Sequence, residues 1–172
     1  AISEVNSSSA DSRVSAAAAI NSTTSTLAMF GPIHDETSIG ALSTFKMGIM
    51  GALAVAVLTL FLVVRHTRAE EETGRLELLG STVLGRHAPL TAALLVAAGT
   101  SLLAGAGTAL GLMAVGLPVA GAVVMGAGYA CLGIAFAAMA GFTAQLTRSA
   151  RTAAGLAGAA LGLSYLLRAI GD

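Results

Sequence analysis

The sequence predicts an all-α fold: a polytopic helical membrane protein with about four transmembrane helices and a short cytoplasmic amphipathic helix. Three observations predict it. Of 172 residues, 55 % are apolar and only 10 % charged, whereas soluble domains carry about a quarter charged residues. From Ala88 to Thr147 the chain runs sixty residues without Asp, Glu, Lys, Arg or His, about twice the length a single spanning helix needs. The charges that do occur gather in short groups between apolar stretches. Nine Lys/Arg balance nine Asp/Glu, so the basic face of a nucleic-acid binder is missing, and no nucleic-acid partner is expected. A lone cysteine, Cys131, excludes a disulfide framework or a Cys-based zinc site within the chain.

The first 44 residues hold ten Ser and five Thr. Residues 1–44 therefore read as a soluble lead-in with one short helix near Val14 to Ile20, ended by the helix-breaking Gly31-Pro32. The transmembrane domain, 45–172, follows. Its first span, 45–64, carries one charge at its edge, Lys46, which can snorkel to the interface, and stops at Arg65-His66-Thr67-Arg68. The neutral stretch must fold as a hairpin, with spans near 89–115 and 119–146 joined at Gly116-Leu117-Pro118, because Pro removes a donor and disfavours helix before it. A fourth span covers 152–170.

Six Lys/Arg lie on the side of the Arg65–His87 loop and the Thr147–Arg151 turn, and three (Arg13, Lys46, Arg168) on the other. Positive residues favour the cytoplasm, so both ends of the chain are expected outside. The lead-in has no signal-peptide core of its own. Something upstream is expected to have delivered it, so the chain reads as a piece of a longer protein.

The loop Arg65–Pro89 is the most informative segment. Thr67-Arg68-Ala69-Glu70 has the form of a capping box, with Glu70, Glu71 and Glu72 in the first turn, where the helix dipole favours anions. Arg68–Glu72 and Glu71–Arg75 are spaced i, i+4. Ala69, Leu76 and Val83 recur every seven residues beside Leu79, and Gly80 is a suitable stop. These signals predict a helix over 67–80, about 12 residues and about 18 Å long. A lipid-bound interfacial helix is usually basic; this one is acidic and would be repelled by an anionic inner leaflet. A protein partner explains it better than lipid does.

Val64-Arg65-His66-Thr67-Arg68-Ala69-Glu70-Glu71, then Gly74-Arg75-Leu76-Glu77-Leu78-Leu79, then Gly85-Arg86-His87-Ala88-Pro89-Leu90 resembles permeases of actinobacterial ABC exporters, the polyketide-antibiotic exporters of the tetronasin type. Asn21 to Pro32 and Leu166 to Asp172 resemble further stretches of that family. Its members are much longer, with about a dozen spans in two similar halves. The resemblance implies a permease in the bacterial plasma membrane, exporting a lipophilic compound with energy from a separate ABC ATP-binding subunit. The other partners it implies are the lipid bilayer and the remainder of the permease or a second permease half. It also implies that Glu70, Glu71, Glu72, Gly74, Arg75, Glu77, Leu78, Leu79, Gly85 and Arg86 form the coupling helix and its exit, which contact that subunit. ATP and Mg would bind there, leaving this chain without a cofactor and without catalysis of its own.

The remaining motifs are weak. No Gly-x-x-x-x-Gly-Lys-Ser/Thr loop occurs, no nucleophile elbow marks a hydrolase, and His34-Asp35-Glu36 reads as solvated loop charge rather than a metal site. No Asp, Glu or Lys sits in mid-span, which argues against an ion-driven relay. Gly107-xxx-Gly111 and Gly158-xxx-Gly162 have the spacing that lets helices approach closely, either for packing within the bundle or for a dimer interface. The rival functional reading is a membrane scaffold that docks a cytoplasmic partner without transporting anything.

Overall fold

The computed structural model describes residues 2–72, 74, 85 and 87–171. Its elements are helices: α1 (Ile2–Asn21), α2 (Thr24–Phe30), α3 (Ile39–Val64), α4 (Ala88–Ala114), α5 (Val119–Leu146) and α6 (Ala150–Gly171). A π-helical turn, Arg65–Ala69, and a single α turn, Glu70–Glu72, prolong α3. Among the described residues four helices are long and apolar enough to cross a membrane: Thr44–Glu72, Ala88–Ala114, Val119–Leu146 and Ala150–Gly171.

The stretch Gly51–Leu163 forms one compact unit. Its frame is the α4–α5 hairpin. Helix α4 buries Ala93, Ala97, Ser101 and Gly105, one small residue every four positions. Those positions share a face of the helix, and with no bulk on that face the backbones come close. Gly105 and Gly126 meet there: a Cβ on either would collide with the other's carbonyl oxygen. Gly133 accommodates Ser101 in the same way, and Gly51 of α3 accommodates the ring of Tyr129. The expected glycines are not the ones used. Gly107, Gly111, Gly158 and Gly162 have open space where a side chain would go, because spacing sets a common face but not which face a neighbour covers.

Leu60, Val63 and Val64 of α3, Ala137, Ala140 and Ala144 of α5, and Ala153 and Ala157 of α6 complete this core. Its few polar side chains are satisfied within their own helices: Thr59 donates to the Val55 carbonyl at 2.9 Å and Ser101 to that of Ala97 at 2.7 Å. In hydrocarbon that self-sufficiency is obligatory. Large apolar residues face outward, with Leu103 76 % and Val124 71 % exposed. In water such a surface would aggregate; against lipid tails it is solvated.

The turn at Gly116-Leu117-Pro118 is a Schellman motif. Gly116 adopts φ 84°, its N–H reaches the Met113 carbonyl at 3.0 Å, and the Leu117 N–H reaches that of Leu112 at 3.1 Å. Pro118 then opens α5.

The second unit comprises Ala1–Met50 with Ser164–Asp172. Here the lead-in departs from expectation, since α1 is 20 residues long rather than one short helix. Hydroxyls that could compete with a helix instead bond back to it, from Ser15 to the Ser12 carbonyl and from Ser22 and Thr23 to that of Ala19. Asn21 ties the end of α1 to Ile33 in both directions, at 3.0 and 2.9 Å. Ser38 caps α3 by accepting from the Ala41 N–H at 3.3 Å.

Candidate functional site

Charge concentrates where α3 runs out of apolar sequence. Arg65-His66-Thr67-Arg68 was expected to stop the helix and Thr67 to start another. Instead Thr67 is buried, and its hydroxyl donates to the Val63 carbonyl at 2.7 Å. The turn widens to the π form and the helix continues to Glu72. The physical reason is that Thr67 has a carbonyl of the preceding turn in reach, so its hydroxyl never becomes the acceptor of a cap. The acidic run therefore stands at the C-terminal end of a long helix, where the dipole opposes it.

Three cationic or N–H groups offset that cost. His66 Nδ1 lies 3.0 Å from Glu70. Arg68 pairs with Glu71, three residues on, rather than with Glu72 as the i, i+4 spacing suggested. Glu72 Oε1 accepts the N–H of Ala150 at 2.7 Å. The helix closes at Gly74, whose N–H reaches the Glu71 carbonyl at 3.0 Å with φ 72°. Beyond Glu72, only Gly74 of the helix expected over 67–80 is among the described residues, and the rest of that expectation lies outside them.

Arg68 reaches further. Its Nε–H donates to the Ala144 carbonyl, one of the last in α5, which ends at Leu146. Terminal carbonyls have no partner within their helix, and a cation there also meets the negative end of the dipole. Glu72 does the complementary thing, because Ala150 opens α6 and its N–H is an orphan donor. Ser149 adds the usual cap, accepting from the Thr152 N–H at 3.3 Å. One short turn beyond α3 thus supplies a cation to the end of α5 and an anion to the start of α6.

Between these groups lies an open cleft of about 570 Å³, lined by Arg68, Glu71, Glu72, Gln145, Leu146, Thr147 and Arg148. Its lining carries both signs of charge and more polar than apolar surface, which suits contact with another polypeptide rather than capture of a lipophilic molecule.

Of the sequence-predicted contact residues, the structure brings Glu70, Glu71 and Glu72 together with Gly74 at this end of the bundle, and places Gly85 just before α4. Arg75, Glu77, Leu78, Leu79 and Arg86 lie outside the described residues. Sequence reasoning missed the role of Arg68 and Glu72 toward α5 and α6, since their partners are 76 and 78 positions away. It also missed the small-residue stripe of α4. Counting Ala and Ser with Gly at every fourth position would have found that.

Long apolar helices with charge confined to their ends define a polytopic helical membrane protein. No family model matches the chain. Over 160 residues, 93 % of its length, it is 46 % identical to the multidrug efflux system permease protein of Mycobacterium tuberculosis, and the two are homologous there. The chain spans 29 % of that protein's length.

Proposed function

We propose that this chain forms part of the transmembrane permease of an ATP-driven ABC exporter of hydrophobic or amphiphilic compounds in a bacterial plasma membrane. The observation that carries the reading is the 46 % identity over 160 residues with a multidrug efflux system permease; four apolar helices give the architecture such a role needs. The loop resemblance narrows the class to the tetronasin-type exporters of polyketide antibiotics. ATP and Mg bind on a separate subunit, and this chain catalyses nothing itself.

In this reading the Arg65–His87 loop and the Thr147–Arg151 turn face the cytoplasm, and both ends of the chain face outside. The segment from Glu70 through Arg86 meets the ATP-hydrolysing subunit. Glu70, Glu71, Glu72 and Glu77 supply charge, Arg75 and Arg86 supply cations, and Leu78 or Leu79 an apolar anchor. Gly74 and Gly85 fall at turns of that segment, where the chain changes direction. The remainder of the permease, or a second permease half, completes the pathway.

Co-purification of the permease with its ATP-hydrolysing subunit, together with hydrolysis stimulated by lipophilic compounds in proteoliposomes, tests this. Both are expected. A permease that binds a cytoplasmic partner yet moves no compound and stimulates no hydrolysis would instead be a scaffold. Sidedness has its own test: cysteines at Ser9 and Asp172 should label from outside intact cells, and one at Gly80 should not.

A further inference from the structure

We infer that Arg68 and Glu72 are positioning residues that carry a displacement of the acidic turn directly into the α5–α6 turn. The inference rests on the exporter reading above. Three observations point to it. The π turn Arg65–Ala69 interrupts a helix that is otherwise α from Ile39 to Glu72, and such turns inside helices occur frequently at functional sites. Within it Arg68 holds the Ala144 carbonyl, and just beyond it Glu72 holds the Ala150 N–H at 2.7 Å. The two bonds straddle residues 145–149, the last two of α5 and the three that join it to α6.

Two attachments to one short turn act differently from one. A single bond lets the turn pivot; a cation on one helix end and an anion on the next fix both helix ends to the same five-residue stretch, Arg68–Glu72. Movement of Glu70–Glu72 must then be followed by the ends of α5 and α6, or both bonds must break. Ala140, Ala144, Ala153 and Ala157, small and buried beside this turn, offer little bulk to resist a slide. Charge makes the grip strong, because ionised groups form the tighter hydrogen bonds. It leaves Glu70 and the exposed edge of Glu71 facing outward for a partner.

The test uses the full permease reconstituted with its ATP-hydrolysing subunit, with variants Arg68→Ala, Arg68→Lys, Glu72→Ala and Glu72→Gln. Two readouts are taken: amide hydrogen exchange at Ala150–Thr152, and hydrolysis with and without a lipophilic compound. Glu72→Ala removes the acceptor and should speed exchange at Ala150 by about tenfold, the scale of losing a helix cap. Glu72→Gln keeps an acceptor oxygen and should stay near wild type. Arg68→Ala should bind the ATP-hydrolysing subunit and keep basal hydrolysis while losing most of the stimulation by compound; Glu72→Ala, whose carboxylate also belongs to the proposed contact with that subunit, is read by exchange at Ala150 alone. A residue that only holds the fold would not separate basal from stimulated rates. Where Arg68→Ala fails to reach the membrane, Arg68→Lys is read instead, and stimulation should fall by at least half. Full stimulation in Arg68→Ala, or unchanged exchange at Ala150 in Glu72→Ala, overturns the inference. If the wild-type permease binds no ATP-hydrolysing subunit, the exporter reading falls with it, and that outcome is distinct from either.

Discussion

Two arginines do the same chemistry in different company. Arg68 donates to the Ala144 carbonyl near the end of α5, and Arg168 donates to the Met29 carbonyl near the end of α2 at 3.4 Å. Around Arg68 the neighbours are ionic: Glu71 pairs with it, Glu70 with His66, and Glu72 with a helix N-terminus. The other unit is held by rings and a phenol. Tyr165 shares the Met29 carbonyl at 2.9 Å, Phe30 and Phe45 pack edge to face at 5.7 Å, and Lys46 lies 5.9 Å from both rings. The difference teaches what each capped helix end is for. Aromatic contacts fix one geometry, whereas an ionic cluster with several partners close in strength can be re-paired by an incoming charge. Under the proposed function the acidic end is the one a partner acts on, and the aromatic end stays put.

The largest expected effect breaks the acidic end. Glu71→Lys with Glu77→Lys should leave membrane levels near wild type, because exposed helix pairs are worth only about 0.2–0.5 kcal/mol. Like charges brought together at an interface cost several kcal/mol. Affinity for the ATP-hydrolysing subunit should fall at least about a hundredfold, measured by pull-down titration, which is about 3 kcal/mol. Wild-type affinity would make the acidic run a solvated face.

A packing defect sets the scale against which both ends are read. A side chain at Gly105 meets the Gly126 carbonyl and, at 3.0 Å, the Ala130 methyl. Gly105→Val should therefore cost about 1–3 kcal/mol of stability and lower the yield of folded protein. Gly107→Ala, with nothing nearby, should change it by less than about 1 kcal/mol.

At the aromatic end the effects are smaller. Tyr165→Phe removes one exposed hydrogen bond and Lys46→Ala two cation–ring contacts, each contact worth about 1 kcal/mol or less. Thermal unfolding should register the pair while stimulated hydrolysis stays unchanged. Loss of transport in either variant would erase the contrast drawn above.

The smallest effect lies at Asp35. The Thr37 hydroxyl, then the Thr37 N–H, hold its carboxyl below the usual 3.8. A lowered native pKa favours the folded turn above about pH 4 and loses that contribution as pH falls through the native value. Thr37→Ala should move the Asp35 titration upward, seen by carboxyl-carbon NMR, without altering behaviour at neutral pH.

The membrane class was legible because sixty neutral residues can have only one solvent, and the hairpin turn because Gly-Leu-Pro has few other uses. Helix α1 was not legible at its full length, since a run rich in Ser and Thr reads as a soluble lead-in, and local pattern does not show that Ser15, Ser22 and Thr23 bond back to the Ser12 and Ala19 carbonyls of the helix. The run past Val64 was misread for a related reason: Thr67 followed by Glu70 has the form of a cap, and only the neighbouring turn decides which partner the hydroxyl takes. The attachment of Arg68 and Glu72 to α5 and α6 depends on residues more than seventy positions away, where local pattern carries no information.

The neutral hairpin also bears on biogenesis. Nothing between Ala88 and Thr147 must lose a hydration shell of its charge on entering the bilayer, and the Gly116–Pro118 turn already pairs the Gly116 and Leu117 N–H groups internally. The cost of carrying that turn across is thus largely met before it leaves the ribosome-side interface. Helices α4 and α5 can enter the membrane as a single preformed hairpin, and in the proposed orientation Arg86 and Arg148, which flank it in the sequence, would mark its cytoplasmic stops.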